Sequence, residues 1–340
     1  MEEFHSQSES MRAALNNEMR TILKADGEMP DCLHGMIHYH MGWRAPDLGI
    51  TNVNTGKRIR PMLLMLVCQA SGGDWKQAVP AAAAVELLHN FTLIHDDIED
   101  TNPTRRGRDT LWKIWGIAQA INTGDAIFAL AHIALMRLAE RGLPAERVLR
   151  AIRRFDETGV SLAKGQHADL CFERQEMISV DDYMEMITMK TAVLPSLCAE
   201  LGAIIAGADD DTVDLYRQFG LNFGLAYQII DDILGIWGDE SFTGKPVSTD
   251  IVSGKKTLPI LYGLEKSIEL RELYRKNEKD DDFIRKVVIL LNQTGARKFS
   301  TEKAAAYSRS AVSCLEAARP EGPARAALNQ LADTLLNRNY

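Results

Sequence analysis

The stretch PAAAAVELLHNFTLIHDDIED, residues 80–100, decides the class of fold. From Pro80 to Ile94 apolar residues return at intervals of three and four, which predicts a helix buried over most of its surface. The stretch then ends in four carboxylates: Asp96, Asp97, Glu99 and Asp100. Because buried carboxylates are destabilising unless a cation or hydrogen bonds compensate them, this acidic end is a candidate for chemistry.

The same periodicity continues on both sides of this stretch. Further helices are predicted over 58–70, 123–141, 145–172, 180–206, 211–235 and 257–268. Alternating strand patterns are absent, and no low-complexity run marks a domain boundary. We therefore predict an all-α, single-domain orthogonal helical bundle over 1–340, with a motif-bearing core at about 50–265 and a helical C-terminal tail at about 280–340.

Composition excludes several classes of function. The chain has 340 residues, and 39 Lys and Arg against 47 Asp and Glu give a net charge of −8, which argues against nucleic acid as a partner. Uncharged stretches are shorter than the roughly 20 residues of a spanning helix, so no transmembrane segment is expected. The N-terminus lacks a secretory pattern and the five cysteines lack paired spacing, which predicts a cytoplasmic protein.

Two other acidic clusters have simpler interpretations. Asp209–Asp211 follows Gly207 and precedes an apolar pattern, which predicts a helix N-cap. Asp280–Asp282 belongs to a polar segment and is interpreted as a solvated turn. Residues 96–100 differ because they continue a buried helical face, on which Asp96 and Asp100 lie one turn apart.

A second apolar helix, 219–230, also ends in an aspartate pair, Asp231 and Asp232, with Asp239 beyond it. Paired carboxylates on rigid helices suit Mg²⁺, which takes one or two protein carboxylates and keeps water or phosphate oxygens. Two such helix ends that face each other across a cavity predict a metal site.

Cations accompany both acidic ends. They are Lys57, Arg58, Arg60, Arg105, Arg106, Lys190, Lys245, Lys255 and Lys256. Guanidinium groups bind phosphate as a planar fork, and ammonium groups bind it as a point charge. Carboxylates together with separate cations predict two anionic ligands, one held through Mg²⁺ and one held directly.

Six separated motifs resemble the trans-isoprenyl diphosphate synthases, also called the polyprenyl synthetase family. They are GKRIRP (56–61), HNFTLIHDDIED (89–100) followed by RRG, GQHADL (165–170), MITMKTA (186–192), AYQIIDD (226–232) and GKPVSTDIVSGKKTLP (244–259). The resemblance implies an isoprenoid synthase fold of ten or more helices around a central cavity, a homodimer, and head-to-tail coupling of isopentenyl diphosphate to an allylic diphosphate.

The resemblance also assigns roles. It implies that Asp96, Asp97, Asp100, Asp231 and Asp232 hold three Mg²⁺ on the allylic diphosphate. It assigns isopentenyl diphosphate to Lys57, Arg60, His89 and Arg106. It assigns the allylic diphosphate and a closing loop to Arg105, Lys190, Thr191, Gln228, Lys245 and Lys255. The departing pyrophosphate takes the proton in this family, so we name no side chain as general base.

One position departs from the family pattern. The second motif commonly has aspartate at its fifth position, where this chain has Gly235, so weaker binding of one Mg²⁺ is expected, whereas Gly235→Asp should be tolerated. Phe91 and Thr92 lie at the family's chain-length positions, and an aromatic ring at 91 should stop the growing chain. We therefore expect C15–C20 products, geranylgeranyl diphosphate before farnesyl diphosphate, from a dimethylallyl, geranyl or farnesyl primer.

Two alternatives remain open at this stage. A terpene cyclase on the same fold would keep the metal motifs without an isopentenyl diphosphate pocket. A non-catalytic subunit of a heteromeric prenyl synthase would be expected to lose aspartates from the first motif, and none is lost here.

Overall fold

The computed structural model describes residues 2–24, 31–51, 53, 56, 58–173, 175, 177–238, 249–275 and 280–336. In these ranges the chain is almost wholly helical, as predicted. The helices of the first part are α1 (Glu2–Ile22), α2 (Cys32–His40), α3 (Ile59–Ala70), α4 (Val79–Glu99), α5 (Leu111–Trp115), α6 (Ile117–Met136), α7 (Ala145–Glu173) and α8 (Val180–Ile187). Those that follow are α9 (Val193–Ala206), α10 (Asp210–Trp237), α11 (Thr249–Ser253), α12 (Leu258–Lys266), α13 (Ile268–Tyr274), α14 (Asp281–Gln293), α15 (Ala296–Ala317) and α16 (Gly322–Leu336).

Three local features interrupt the helical pattern. Strands β1 (Thr104–Arg105) and β2 (Arg108–Asp109) form an antiparallel hairpin. A 3₁₀ turn, Ala139–Arg141, lies between α6 and α7. A π-helical turn, Thr188–Ala192, joins α8 to α9, so the predicted helix 180–206 is continuous but widened in the middle.

The chain packs as two compact units, which are described separately. Unit 1 comprises Met1–Glu157, Cys198–Val213 and Pro320–Ala327. Unit 2 comprises Thr158–Leu197, Asp214–Arg319 and Leu328–Tyr340. The single-domain assignment stays a prediction.

In unit 1, α4 packs against α1, α3 and α6. Four consecutive alanines, Ala81–Ala84, are fully buried near its start and allow close helix packing. Further along α4 the buried residues include polar Glu86 and Asn90. The first acidic motif therefore stands at the end of a central helix, as the sequence predicts.

Unit 2 has a hydrophobic core to which helices on both sides of the 239–248 segment contribute. It includes Ile236 from α10, Ile251 from α11, Ile260 from α12, and Val287 and Leu291 from α14. Part of the predicted C-terminal tail thus belongs to the hydrophobic core of unit 2. Burial of such side chains stabilises the fold by about 1.5–3 kcal/mol each.

By length and composition, the helical stretch Val180–Ala206 alone in the described ranges would qualify as a membrane-spanning helix. Within the protein, 72% of its most apolar window is buried, which is typical of a core helix.

Candidate active site

The first acidic motif occupies the last turn of α4 in unit 1. Asp96 is half-buried, Asp97 is only 4% exposed, and Asp100 is the exposed C-cap residue. Arg105 Nε donates to Asp97 Oδ1 at 2.7 Å. Burial raises the pKa of Asp97, and this pairing with Arg105 opposes the shift. Asp97 is therefore buried and paired with Arg105, and Asp96 and Asp100 are the more exposed carboxylates of the motif.

The β1–β2 hairpin brings the RRG motif back to this helix end. Its two central residues, Arg106 and Gly107, have φ of 53° and 73°, as a type I′ turn requires. A Cβ atom added at Gly56 would lie 3.3 Å from both terminal nitrogens of Arg106. Glycine at 56 therefore allows the GKR segment and the hairpin to approach each other.

Arg60 and His89 meet beside this hairpin. Arg60 Nη1 lies 3.2 Å from His89 Nε2, which accepts the hydrogen bond in the neutral imidazole. Burial, and then the charges of Arg60, Arg106 and Arg105, lower the pKa of His89 well below its usual value. Among the described residues Arg60 Nε is buried without an acceptor. We call Gly56, Arg60, His89 and Arg106 the arginine pocket.

A largely buried hydrogen-bond network adjoins the arginine pocket, and the sequence did not predict most of its members. His40 Nε2 lies 3.1 Å from Asn90 Oδ1, and Asn90 Nδ2 donates to the Glu86 carbonyl oxygen at 2.7 Å. Glu86 Oε1 accepts from Arg58 Nη1 at 2.7 Å. Arg58 is thus committed to a buried carboxylate, which distinguishes it from Arg60. Burial lowers the pKa of His40 to about 3.

An open cleft of about 470 Å³ lies beside the hairpin in unit 1. Its lining combines aromatic, basic and acidic side chains, among them Tyr39, His40, Asp97, Arg105, Arg106 and Arg108. Arg108 itself donates to the carbonyl oxygens of Tyr39 and Arg44, so it braces the hairpin.

In unit 2 the π-helical turn presents Lys190 and Thr191. Lys190 Nζ pairs with Asp169 on α7, and Thr191 Oγ1 donates to Gln228 Oε1 at 3.2 Å. A Cβ atom at Gly165 would lie 2.3 Å from the Lys190 backbone nitrogen, so only glycine lets α7 approach the turn this closely. Two residues of the GQHADL motif thus contact the π-helical turn: Gly165 lets α7 approach it, and Asp169 pairs with Lys190.

Asp232 is the hydrogen-bonding centre of unit 2. It accepts from Tyr183 Oη at 2.6 Å, Gln228 Nε2 at 2.9 Å and the Leu258 backbone N–H at 3.3 Å. Burial nevertheless raises its pKa to about 7. These bonds give Asp232 a scaffolding function, while its role as a metal ligand stays a prediction. Asp231, its neighbour, is half-buried.

Lys255 lies among the carboxylates of unit 2. Burial lowers its pKa, but Asp232, Asp250, Asp169 and Asp231 together outweigh that effect and raise it. We call Asp169, Lys190, Asp232, Asp250 and Lys255 the lysine–carboxylate cluster. Asp169 and Asp250 were not singled out from the sequence, although both lie within the matching motifs.

The expectation that Gly235→Asp is tolerated needs revision. A Cβ atom at Gly235 would lie 2.1 Å from Asp250 Oδ2. The carboxylate of Asp250 thus stands against α10 one turn beyond Asp231, where the common motif would place its own carboxylate. A second acid at 235 would meet both a steric clash and like-charge repulsion.

The chain-length positions lie in unit 1. The Phe91 ring is 4.9 Å from that of Phe128 on α6, and Phe128 stacks in turn on buried Phe155 at 6.4 Å. Thr92 Oγ1 donates to the His89 carbonyl oxygen at 2.8 Å, so its hydroxyl is used within the helix. The aromatic cluster that includes Phe91 therefore also contains Phe128 and Phe155.

Several other sequence predictions can be placed. Asp209 Oδ1 accepts from the Thr212 N–H, which confirms the N-cap. Asp280 caps α14 in the same way, so the predicted solvated turn is instead a helix start. Lys57, Asp239 and Lys245 lie outside the described residues.

The side chains fit magnesium better than a softer metal. The assigned groups are carboxylates, the oxygen ligands that Mg²⁺ prefers. In the described part of the chain no three His, Cys, Asp or Glu side chains form a ready-made metal cage.

Comparison with known proteins decides the family. The model of the family described as polyprenyl synthetase matches residues 48–291. The chain belongs to the polyprenyl synthetase family. It is 43% identical over 256 residues to a geranylgeranyl diphosphate synthase of Mycobacterium tuberculosis, covering 74% of this chain and 72% of that protein. It is 35% identical over 312 residues to a (2E,6E)-farnesyl diphosphate synthase of the same species, covering 89% and 85%.

Solved structures agree with this assignment. The polyprenyl synthetase from Streptomyces coelicolor A3(2) is 33% identical and has a TM-score of 0.88, covering 96% of this chain and 98% of that one. The predictions of the isoprenoid synthase fold and of a short-chain trans-prenyltransferase in this family are confirmed. The residue roles within this polyprenyl synthetase stay predictions.

Proposed function

We propose that this polyprenyl synthetase condenses isopentenyl diphosphate with an allylic diphosphate to make geranylgeranyl diphosphate, with farnesyl diphosphate as the second candidate product. The observation that carries the proposal is the arginine pocket. Arg60 keeps a buried donor nitrogen without an acceptor among the described residues, beside a histidine held neutral. Such a site favours a diphosphate bound without a metal.

In this proposal the arginine pocket binds isopentenyl diphosphate. Arg60 and Arg106 donate to its phosphate oxygens, and neutral His89 orients Arg60 through Nε2. Lys57, which lies outside the described residues, is assigned to the same ligand by its motif.

The lysine–carboxylate cluster, with Thr191 and Gln228, serves the allylic diphosphate. Lys190 and Lys255 place positive charge where the pyrophosphate departs, and Arg105 does the same beside the first motif. Lys245 is assigned to this ligand by its motif alone. Apolar helices exclude water from the allylic cation, which limits hydrolysis.

We propose that Asp96, Asp97, Asp100, Asp231 and Asp232 hold three Mg²⁺ together with the allylic diphosphate. When bound, magnesium neutralises the charge that develops on the pyrophosphate as the carbon–oxygen bond breaks. Asp96, Asp100 and Asp231 are the first candidates for direct ligands, because they are half-buried or exposed whereas Asp97 and Asp232 are almost fully buried.

Product length is proposed to depend on Phe91 with Phe128 behind it. Phe91→Ala should lengthen the major product by one isoprene unit rather than by many, because the Phe128 ring, whose centroid is 4.9 Å from that of Phe91, remains. Chromatographic sizing of the products measures this. An unchanged product would contradict the role of Phe91, and products several units longer would contradict that of Phe128.

We also propose a homodimer in the cytoplasm. The solvent-facing side of α6 carries Ile117, Ile121, Ile133 and Met136, which are 39–61% exposed, and Leu149 of α7 is 67% exposed. Exposed large apolar side chains of this kind on one unit suit contact with a second copy of the chain. Ile133→Asp should convert the dimer to a monomer in light scattering. All five cysteines are free thiols, as expected in a reducing compartment.

The decisive experiment supplies purified protein with Mg²⁺, isopentenyl diphosphate and one primer at a time: dimethylallyl, geranyl or farnesyl diphosphate. Products of C20 are expected. A hydrocarbon formed from a primer alone would instead indicate a terpene cyclase, and no turnover with any primer would indicate a non-catalytic subunit.

A further inference from the structure

Lys256 adjoins Lys255 in the chain but is directed to different partners. Its Nζ donates to the Phe172 carbonyl oxygen at 2.5 Å, to the Gln175 carbonyl oxygen, and more weakly to the Glu173 carbonyl oxygen at 3.5 Å. Phe172 and Glu173 end α7 and Gln175 follows it; at such a helix end carbonyls lack partners inside the helix and the helix dipole is negative. The ammonium group therefore closes the end of α7.

The same short segment is anchored on its other sides through its backbone. Lys255 N–H donates to the Asp250 carbonyl oxygen at 2.9 Å, and Leu258 N–H donates to Asp232 Oδ2 at 3.3 Å. Thr257 is fully buried between these two points. Lys256 adds the connection to α7, the helix that carries Asp169, the partner of Lys190.

We propose that Lys256 is a positioning residue that holds the 254–258 segment on the end of α7 and so presents Lys255 to the diphosphate. The inference rests on the proposed function, in which Lys255 contacts the allylic diphosphate. In this proposal the two adjacent lysines have different partners: Lys256 binds backbone carbonyl oxygens, and Lys255 binds the diphosphate.

A double-mutant cycle tests this assignment. Calorimetry with inorganic pyrophosphate and Mg²⁺ compares wild type, Lys256→Met, Lys255→Met and the double variant. Because coupled neighbours are non-additive, Lys256→Met should weaken pyrophosphate binding about tenfold in the wild-type background but less than about twofold when Lys255 is absent. Lys256→Arg, which keeps a cation for the carbonyls, should restore most of the affinity.

Controls separate positioning from general stability. Lys286→Met removes a lysine from an exposed ion pair with Asp282 in the same unit and should leave pyrophosphate binding unchanged. If Lys256→Met unfolds, the cycle uses Lys256→Gln instead, because the glutamine amide can still donate hydrogen bonds. A lowered melting temperature with unchanged pyrophosphate affinity, or equal weakening in both backgrounds, would overturn the inference.

The pyrophosphate measurement requires no product to form. A wild-type protein that binds pyrophosphate but couples no substrates would contradict the proposed function while still testing Lys256. Normal coupling by Lys256→Met with wild-type pyrophosphate affinity would contradict the inference alone.

Discussion

The arginine pocket of unit 1 and the lysine–carboxylate cluster of unit 2 both gather cations, but they balance charge differently. Arg60 is partnered by an imidazole that burial and neighbouring arginines keep neutral. Lys190 is paired with Asp169, and Lys255 lies among carboxylates that raise its pKa. The first region has positive charge available for an anion. The second is largely neutralised before any ligand arrives.

Under the proposed function, this difference would let one acidic protein bind two diphosphates selectively. An uncompensated guanidinium attracts a bare diphosphate. A cluster rich in carboxylates attracts a diphosphate mainly when divalent cations accompany it, because a bound cation reverses the local charge. In this proposal the same chemical group would be recognised in two electrostatic forms.

The strongest test removes a carboxylate from the metal-dependent side. Asp231→Ala should lower kcat/KM by about a hundred- to a thousandfold, the usual effect of losing one electrostatic contact to the transition state. Steady-state kinetics at saturating Mg²⁺ measures this. Asp211→Ala, on the exposed first turn of the same helix, is the control and should stay active. Full activity in Asp231→Ala would remove the basis for the metal assignment.

The next test addresses the metal-independent side. Arg60→Met should raise the KM for isopentenyl diphosphate about 30-fold, because charge-assisted hydrogen bonds to phosphate are lost. The KM for the allylic substrate should change little.

Arg58→Met provides the contrast, because Arg58 pairs with buried Glu86. The substitution leaves the buried Glu86 carboxylate without its charged partner, which should lower the free energy of unfolding in urea by about 3–5 kcal/mol. If both variants raised the KM for isopentenyl diphosphate equally without loss of stability, the distinction between the two arginines would be wrong.

A smaller effect concerns His40, which belongs to the hydrogen-bond network next to the arginine pocket. The folded-state pKa of His40 is about 3, below the value of 6.5 for the unfolded chain. Below pH 6.5 the unfolded chain binds a proton that the folded protein does not, so the contribution of His40 to stability is complete above pH 6.5 and is lost as pH falls toward 3. Between pH 7 and pH 5 the loss should be about 2 kcal/mol.

Urea unfolding at both pH values measures this loss. His40→Gln should show a pH dependence smaller by about that amount. An identical pH dependence in wild type and variant would mean that His40 does not remain neutral in the folded protein.

The smallest expected effect is at Gly235. Gly235→Ala should weaken the apparent affinity for Mg²⁺ in the presence of pyrophosphate by about three- to tenfold, because the new Cβ displaces the Asp250 carboxylate. Asp250→Asn in the same background should then add little, since neighbouring changes are coupled. Unchanged Mg²⁺ affinity in Gly235→Ala would show that the place of Asp250 beside α10 is not needed.

Most of the long central helices were predictable because their apolar periodicity is local, whereas α1 (Glu2–Ile22) was not predicted. The predicted helix 145–172 corresponds to Ala145–Glu173, and 211–235 to Asp210–Trp237. The hairpin at 104–109 was not, because strands of two residues are too short to show alternation. The predicted helix 257–268 ends at the observed break, Ser267, but the short helix α13 that follows was not predicted, although the Ser267 side chain caps it by accepting the Leu270 N–H, a common N-cap signal.

The all-α fold, the family and the two acidic helix ends follow from patterns along the chain. The family resemblance assigned Arg60 and Lys255 to ligands, but the residue pattern alone does not show which cations are available. Arg58 and Arg60 look equivalent in GKRIRP, as do Lys255 and Lys256 in GKKT, yet in each pair one residue is committed to an internal partner. Helical pattern depends on neighbours in sequence, whereas a charge is compensated by whatever group folding brings within a few ångströms, and only tertiary structure decides that.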